Sequence, residues 1–276
     1  MIEIINESIF SFNFTFIESK IIPFFKKNPT FIDDNINDIL FYSINDHSCF
    51  FTKELLKHQK IDYNYMNSDE NLSFLSQAIV VRNYDAIELF LNIPDIDINK
   101  PVNNGFSTFQ LACGKFIDNR IIEKFCKNPK VNINYVYRRH NVFQLVVSRG
   151  NPFTLECLIK NHPEIETGNF NVLFFYCLRH YHWLTLKILV DFYLKKNKNI
   201  TTDEIVNSVK EKYANNINYK EEFCDVFRNI INEVRLITVK PPQFPNESIR
   251  KKIKKAKAGP IKPTIIVPQI NKNQKH

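Results

Sequence analysis

Short apolar runs that end on a small residue recur along this chain at a constant interval. Leu75-Ser76-Gln77-Ala78, Phe109-Gln110-Leu111-Ala112 and Phe143-Gln144-Leu145-Val146 start 34 positions apart, twice in succession. Each is followed by a second apolar run: Ile87-Glu88-Leu89-Phe90-Leu91, then Ile121, Ile122, Phe125 and Cys126 at helical spacing, then Leu155-Glu156-Cys157-Leu158-Ile159. A period near 33 residues with two apolar helices in each unit predicts helical hairpins stacked side by side. Stacking is obligatory in such a design, because one hairpin alone leaves an apolar face in water.

The unit from Asn104 to Asn134 shows the grammar most fully. Ser107 or Thr108 is placed to cap a first helix. Ala112 is small because two helices must approach closely there. Asn128-Pro129 ends the second helix, and Val131-Asn132-Ile133-Asn134 then forms a short extended stretch to the next unit. Similar endings stand at Ile96-Asp97-Ile98-Asn99 and Ile61-Asp62-Tyr63-Asn64, where Asp95 and Asp97 order the inter-unit turns. A shorter copy contains Phe174-Phe175-Tyr176-Cys177 and Leu186-Lys187-Ile188-Leu189-Val190, and an earlier one contains Leu40 to Ser43 and Leu55-Leu56. A helix around Ile17–Phe25 followed by Ile32-Asp33-Asp34-Asn35 reads as a truncated leading unit. The competing reading, an irregular helical bundle with coincidental spacing, does not explain why the matches fall in phase at both ends of the unit.

This pattern resembles the ankyrin repeat. The resemblance rests on Gly105-Phe106-Ser107-Thr108-Phe109-Gln110-Leu111-Ala112, set against the family's Gly-x-Thr-Pro-Leu-x-x-Ala opening, and on the three endings just named, set against its Asp-Val-Asn ending. It covers residues 10–195 or so, with divergence: the Thr-Pro pair is never intact, and Gln or Ser replaces the His after Leu. It is similar to the degenerate repeats of large protist ankyrin families. The resemblance implies an all-α solenoid of about five to six units over residues 1–196, whose concave face and loop tips recognise a partner without covalent chemistry. Carried over by position, the richest tip is Tyr135-Val136-Tyr137-Arg138-Arg139-His140. Tyr135, Tyr137, Arg138 and Arg139 are its expected contact residues, being types that dominate interface energetics. An ordinary solvated turn, with the Tyr rings leaning on the next unit, is the plain alternative.

After residue 196 the period stops. Thr201 and Glu204 form a capping box ahead of Ile205, Val206, Val209 and Tyr213, and a second amphipathic helix runs through Phe223, Val226, Phe227, Ile230, Ile231 and Val234. Residues 197–239 are therefore expected to be a helical C-terminal cap. Residues 240–276 carry Pro at 241, 242, 245, 260, 263 and 268 with no helical period, and are expected to be a disordered tail.

Charge changes the picture only when it is divided. The chain of 276 residues carries +8 overall, but residues 240–276 hold ten Lys and Arg against Glu247 alone. Residues 1–239 hold 27 bases and 28 acids, so the folded body is near neutral. Arg250, Lys251, Lys252, Lys254, Lys255 and Lys257 form the basic cluster of the tail. It suits an import receptor, nucleic acid, an acidic protein or an anionic membrane, and equally a merely solubilising tail. Without interleaved aromatics it lacks the residues for base stacking. Thr264-Ile265-Ile266-Val267-Pro268 is a short β-prone island that can add to a partner sheet.

Other chemistry is thin. Gly is scarce, at 5, against 25 Phe, and no glycine-rich phosphate loop, Gly-x-Ser-x-Gly elbow or His-Glu-x-x-His motif occurs. Cys177, His180 and His182 raise a zinc reading, but no fourth ligand stands at a usual spacing and Cys177 falls at the small helix-contact position. No metal, cofactor or catalytic activity is expected. Six Cys without a CxxC pair read as free buried thiols in a reducing compartment. No apolar run is long enough to cross a membrane, and acid stands near the start where a secretory signal carries base. The expectation is a monomeric cytoplasmic, or partly nuclear, adaptor or scaffold that binds an unidentified protein. The second candidate is a tether acting through the tail.

Overall fold

A computed structural model describes residues 4–5, 7, 11, 14–102, 105–115, 117–216 and 220–239. The basic cluster 250–257 and the island 264–268 lie outside the described residues. The chain divides into two compact units, Met1–Asn232 and Glu233–His276. The second is described only over 233–239, the last turns of the final helix.

The chain is mostly helical. Helix α1 covers 14–27 and includes a π-helical segment, Ile17–Ile21. Next come α2 (Pro29–Ser43), α3 (Phe50–Leu55), α4 (Phe74–Val80), α5 (Tyr84–Leu91), α6 (Thr108–Gly114), α7 (Asn119–Lys127), α8 (Val142–Arg149), α9 (Pro152–Asn161), α10 (Phe170–Arg179) and α11 (Trp183–Lys196). Helices α12 (Thr202–Tyr213) and α13 (Glu222–Val239) complete the order.

Neighbouring helices in sequence pair as hairpins: α2 with α3, α4 with α5, α6 with α7, α8 with α9 and α10 with α11. The first members then stack on one another, α2 on α4, α6, α8, α10 and α12 in turn, while α5, α7, α9 and α11 form a second row. The apolar signature lies where these rows meet. Leu75, Ala78, Phe109, Ala112, Phe143, Val146, Phe174 and Cys177 are all buried. Phe74 stacks on Phe90 at 5.7 Å and Phe109 on Phe125 at 5.2 Å, so the α4–α5 and α6–α7 hairpins are each closed by one aromatic from each helix. Burying such a ring contributes about 2–3 kcal/mol, and pairing it adds about 1 kcal/mol.

Local chemistry repeats as faithfully as the core. Arg82, Gly150 and Tyr181 each end a first-row helix at positive φ, 57°, 65° and 58°. The next amide in each case reaches five residues back, Asn83 to Ala78 (2.9 Å), Asn151 to Val146 (3.3 Å) and His182 to Cys177 (2.9 Å), the bond of a Schellman cap. Asn83 is the most connected of these residues. Its Oδ1 accepts from the Ala86 amide (3.0 Å) and the Cys49 thiol (3.2 Å). Its Nδ2 donates to the Ile44 (2.8 Å) and Asp46 (3.0 Å) carbonyls. It is 1 % exposed, so these four bonds satisfy groups that water cannot reach.

At the other edge the units are joined by an asparagine ladder. Asn64 donates to the Asp95 carbonyl and accepts from the Asp97 amide. Asn99, 35 residues after Asn64, does the same to Lys130 and Asn132. Asn134 accepts from the Glu166 amide. The stretch 131–134, expected to be extended, is instead turned at Ile133-Asn134, where the Asn132 side chain accepts from the Asn134 amide (3.2 Å). Such an Asx turn offers the backbone a local partner that an isolated strand lacks. Asp97 accepts from the Asn99 amide in the same way, as its place in the inter-unit turn implies.

Two further points differ from the sequence reading. Ile32-Asp33-Asp34-Asn35 is not an inter-unit loop but the middle of α2, which Pro29 starts within its first turn. A small amount of β-structure is also present: Met66–Asn67 pairs antiparallel with Leu72–Ser73, and isolated bridges join Val102 to Phe106 and Tyr137 to His140. After the last hairpin, Thr201 and Glu204 make the capping box of α12. Tyr213 lies flat on Phe175 at 4.1 Å, and Phe227 meets Phe174 at 5.1 Å. These two helices thus cover the apolar face that α10 presents.

Candidate partner-binding groove

The loop 135–140 is a two-residue hairpin. Tyr137 and His140 exchange both backbone hydrogen bonds at 3.0 Å. Arg138 and Arg139 occupy the turn with φ of 48° and 68°. Positive φ at both central positions defines a type I′ turn, which normally takes Asn-Gly. Here two arginines hold the left-handed backbone, at a cost of about 1 kcal/mol or more each.

The loop is held from below by the preceding unit. Gln110, 2 % exposed, completes a capping box with Ser107 at the start of α6, which makes Ser107 rather than Thr108 the cap. Its Nε2 donates to the carbonyls of Tyr135 (3.3 Å) and His140 (3.1 Å). The Tyr135 hydroxyl donates to the Gly105 carbonyl at 3.0 Å. Tyr137 packs on Phe106 with ring centres 4.7 Å apart, and a Cβ at Gly105 would sit 2.6 Å from that ring. Gly105 therefore has to be Gly, both for its φ of +93° and for this contact. The tyrosines lean on the preceding unit, not the following one. Arg138 extends over the Tyr137 ring at 5.1 Å, while Arg139 does not line the cavity described next.

Beside this loop the first-row helices leave an open groove of about 770 Å³. Its floor is one face of α8, where Leu145, Ser148 and Arg149 recur at i, i+3 and i+4. The loop forms one wall with Tyr137, Arg138 and His140. The opposite wall comes from the end of α10, where Tyr176, His180 and His182 line the cavity. Tyr176 stacks on His180 at 4.4 Å, and His182 lies 5.7 Å from His180. His182 is set by Gly150: a Cβ there would fall 2.6 Å from the imidazole Cγ, so only glycine lets the ring lie against this turn. Burial, and then the nearby His180, lower the His182 pKa, opposed by the Val147 backbone. Its Nδ1 is buried without a hydrogen-bond partner among the described residues.

No carboxylate lines this groove, and neither Arg138 nor Arg149 has an ion-pair partner among the described residues. The groove lies in the electropositive part of the body. Residues 1–100 carry fifteen acids and eight bases, whereas residues 101–239 carry thirteen acids and nineteen bases.

The structure thus brings Tyr137 and Arg138 to the cavity, sets Tyr135 beneath it as a support, and leaves Arg139 outside. Arg149, Tyr176, His180 and His182 line the same cavity and were not expected there from the sequence. The only sequence sign of His180 and His182 was the pairing with Cys177 that suggested zinc. Cys177 is instead fully buried at a helix contact, with its thiol pushed up to about 12 by desolvation. Among the described residues no group of three or more His, Cys, Asp and Glu is placed to hold a metal ion, and no helix is long and apolar enough to cross a membrane. No family model matches the chain, and no curated protein matches it.

Proposed function

We propose that this chain is an ankyrin-like repeat array that works as a protein-interaction module, an adaptor or scaffold, and that the groove along α8 is its recognition site. The observation that carries the reading is the groove itself: an open cavity on the first-row helices, lined by aromatic rings and by two arginines that have no ion partner among the described residues. Three further features support the repeat assignment: the 34-residue phase of the signature, the two stacked helix rows, and the antiparallel bridges Val102 to Phe106 and Tyr137 to His140 at the tips. Gln110 and Gln144 stand where the family has His, and both close a capping box while reaching the following loop. The replacement thus keeps a link between units.

Changing Tyr137 is a poor test, because its ring also packs on Phe106. Arg138→Ala with Arg149→Ala removes two exposed side chains and leaves the core intact. The full chain and this variant are used as baits in the native cell, with captured proteins quantified by mass spectrometry. Loss of the same partners from the variant, with unchanged melting temperature, supports the groove as the site. Retention of every partner by the variant, and their loss when the six tail cations at 250–257 are changed to Gln, transfers recognition to the tail.

A further inference from the structure

The position of the charges along α8 says what kind of partner segment the groove suits. Arg138 and His140 stand at the N-terminal end of α8, on the loop that enters it. Arg149, His180 and His182 stand at its C-terminal end, around the turn to α9. Eight helical residues separate the two clusters by roughly 12 Å, the length of three to four extended residues. Leu145 is part of the floor between them. Arg138 at one end and Arg149 at the other therefore make the groove cationic at both ends, with Leu145 apolar in the middle.

Resting on the reading above, we infer that the occupant is an extended, Asp/Glu-rich segment of a partner protein. Acidic side chains three to four residues apart meet the two cationic ends, and an apolar side chain between them lies on Leu145. Guanidinium groups suit this role, since each can hold a carboxylate by two parallel hydrogen bonds. Charge excludes the nearest alternative occupant, the chain's own tail, whose ten bases against one acid give it the wrong sign. The rings argue against a nucleic acid. Tyr137 is packed by Phe106 and Arg138, and one face of Tyr176 is taken by His180, which leaves little open ring surface on which bases can stack.

The first test is fluorescence anisotropy on the full chain with a labelled ten-residue peptide of alternating Glu and Leu. Its Gln counterpart, a phosphoserine peptide and a single-stranded RNA oligomer are the competing probes. Arg138→Glu with Arg149→Glu is expected to weaken the acidic peptide at least tenfold. Lys198→Glu with Lys210→Glu makes the same change in net charge outside the groove and is expected to leave affinity within twofold. In every protein compared, the six tail cations at 250–257 are changed to Gln, so that the tail offers the acidic peptide no second site. Equal loss in both double variants overturns the inference, and so does groove-dependent preference for the phosphopeptide or the RNA. If the Glu variant fails to fold, Arg138→Gln with Arg149→Gln replaces it, with the same two outcomes. A photo-crosslinker at position 148 then separates the two levels of the argument in cells. Crosslinks to acidic segments support the inference. Crosslinks to neutral or basic segments overturn it while leaving partner binding in place, and no crosslinked protein overturns both.

Discussion

Replacing Arg138-Arg139 by Asn-Gly should stabilise the protein while weakening its groove, and the two effects can be apportioned from the geometry. Both arginines hold left-handed backbone, with φ of 48° and 68°. An L-residue pays about 1–2 kcal/mol for that conformation, and Gly does not. At position 139 this relief is reduced by about 0.5–1 kcal/mol, because Gly gives the unfolded chain more freedom. The net gain from Arg139→Gly is therefore about 1 kcal/mol. At position 138, Asn tolerates the left-handed region but forgoes the cation–π contact with Tyr137, about 0.5–1 kcal/mol, so that change is close to neutral. A gain of about 1 kcal/mol corresponds to a rise of about 2 °C in melting temperature for a domain of this size. The local readout is hydrogen exchange at the Tyr137 and His140 amides, whose cross-turn bonds should open less often in the variant. Arg139→Gly alone should give the stability without the loss of binding, since Arg139 does not line the groove. A single variant that is no more stable than the parent, in both melting and exchange, refutes the claim that this turn is strained.

Three other outcomes follow from the described residues. Asn83→Ala removes a helix cap and strips partners from buried carbonyls of the preceding unit. It should cost about 3 kcal/mol in denaturant titration, far more than an exposed substitution. Burial keeps the His182 pKa below its ordinary 6.5, so the fold favours the neutral ring. That contribution is fully present above pH 6.5 and is lost as pH falls through the lower folded value. His182→Gln should therefore flatten the dependence of melting temperature on pH between 7 and 5, and an unchanged slope would count against it. Five of the six cysteines are buried, and desolvation raises the pKa of Cys49, Cys113, Cys126 and Cys177. At most one thiol, Cys224, should react promptly with iodoacetamide in the folded protein, and all six after denaturation.

The helical hairpins were legible because the forces that set them are local or periodic. Apolar spacing identifies a helix face, Thr201 and Glu204 identify a helix start, and a 34-residue phase carries both from unit to unit. The rim of the cavity was half legible, since Tyr137 and Arg138, which line it, belong to a loop rich in interface residue types. What the sequence could not indicate is who stands opposite them. Arg149 is an ordinary helix C-terminal residue, and His180 with His182 looked like a failed metal site, until the stacking of α6, α8 and α10 set all of them around one cavity. The same holds for Asn83, whose carbonyl partners lie 37 and 39 residues earlier, and for Gly150, required by a histidine 32 residues later. Secondary structure here follows from neighbours along the chain. The groove, its charge and its strained rim follow from neighbours across the stack, because each repeat supplies only one wall.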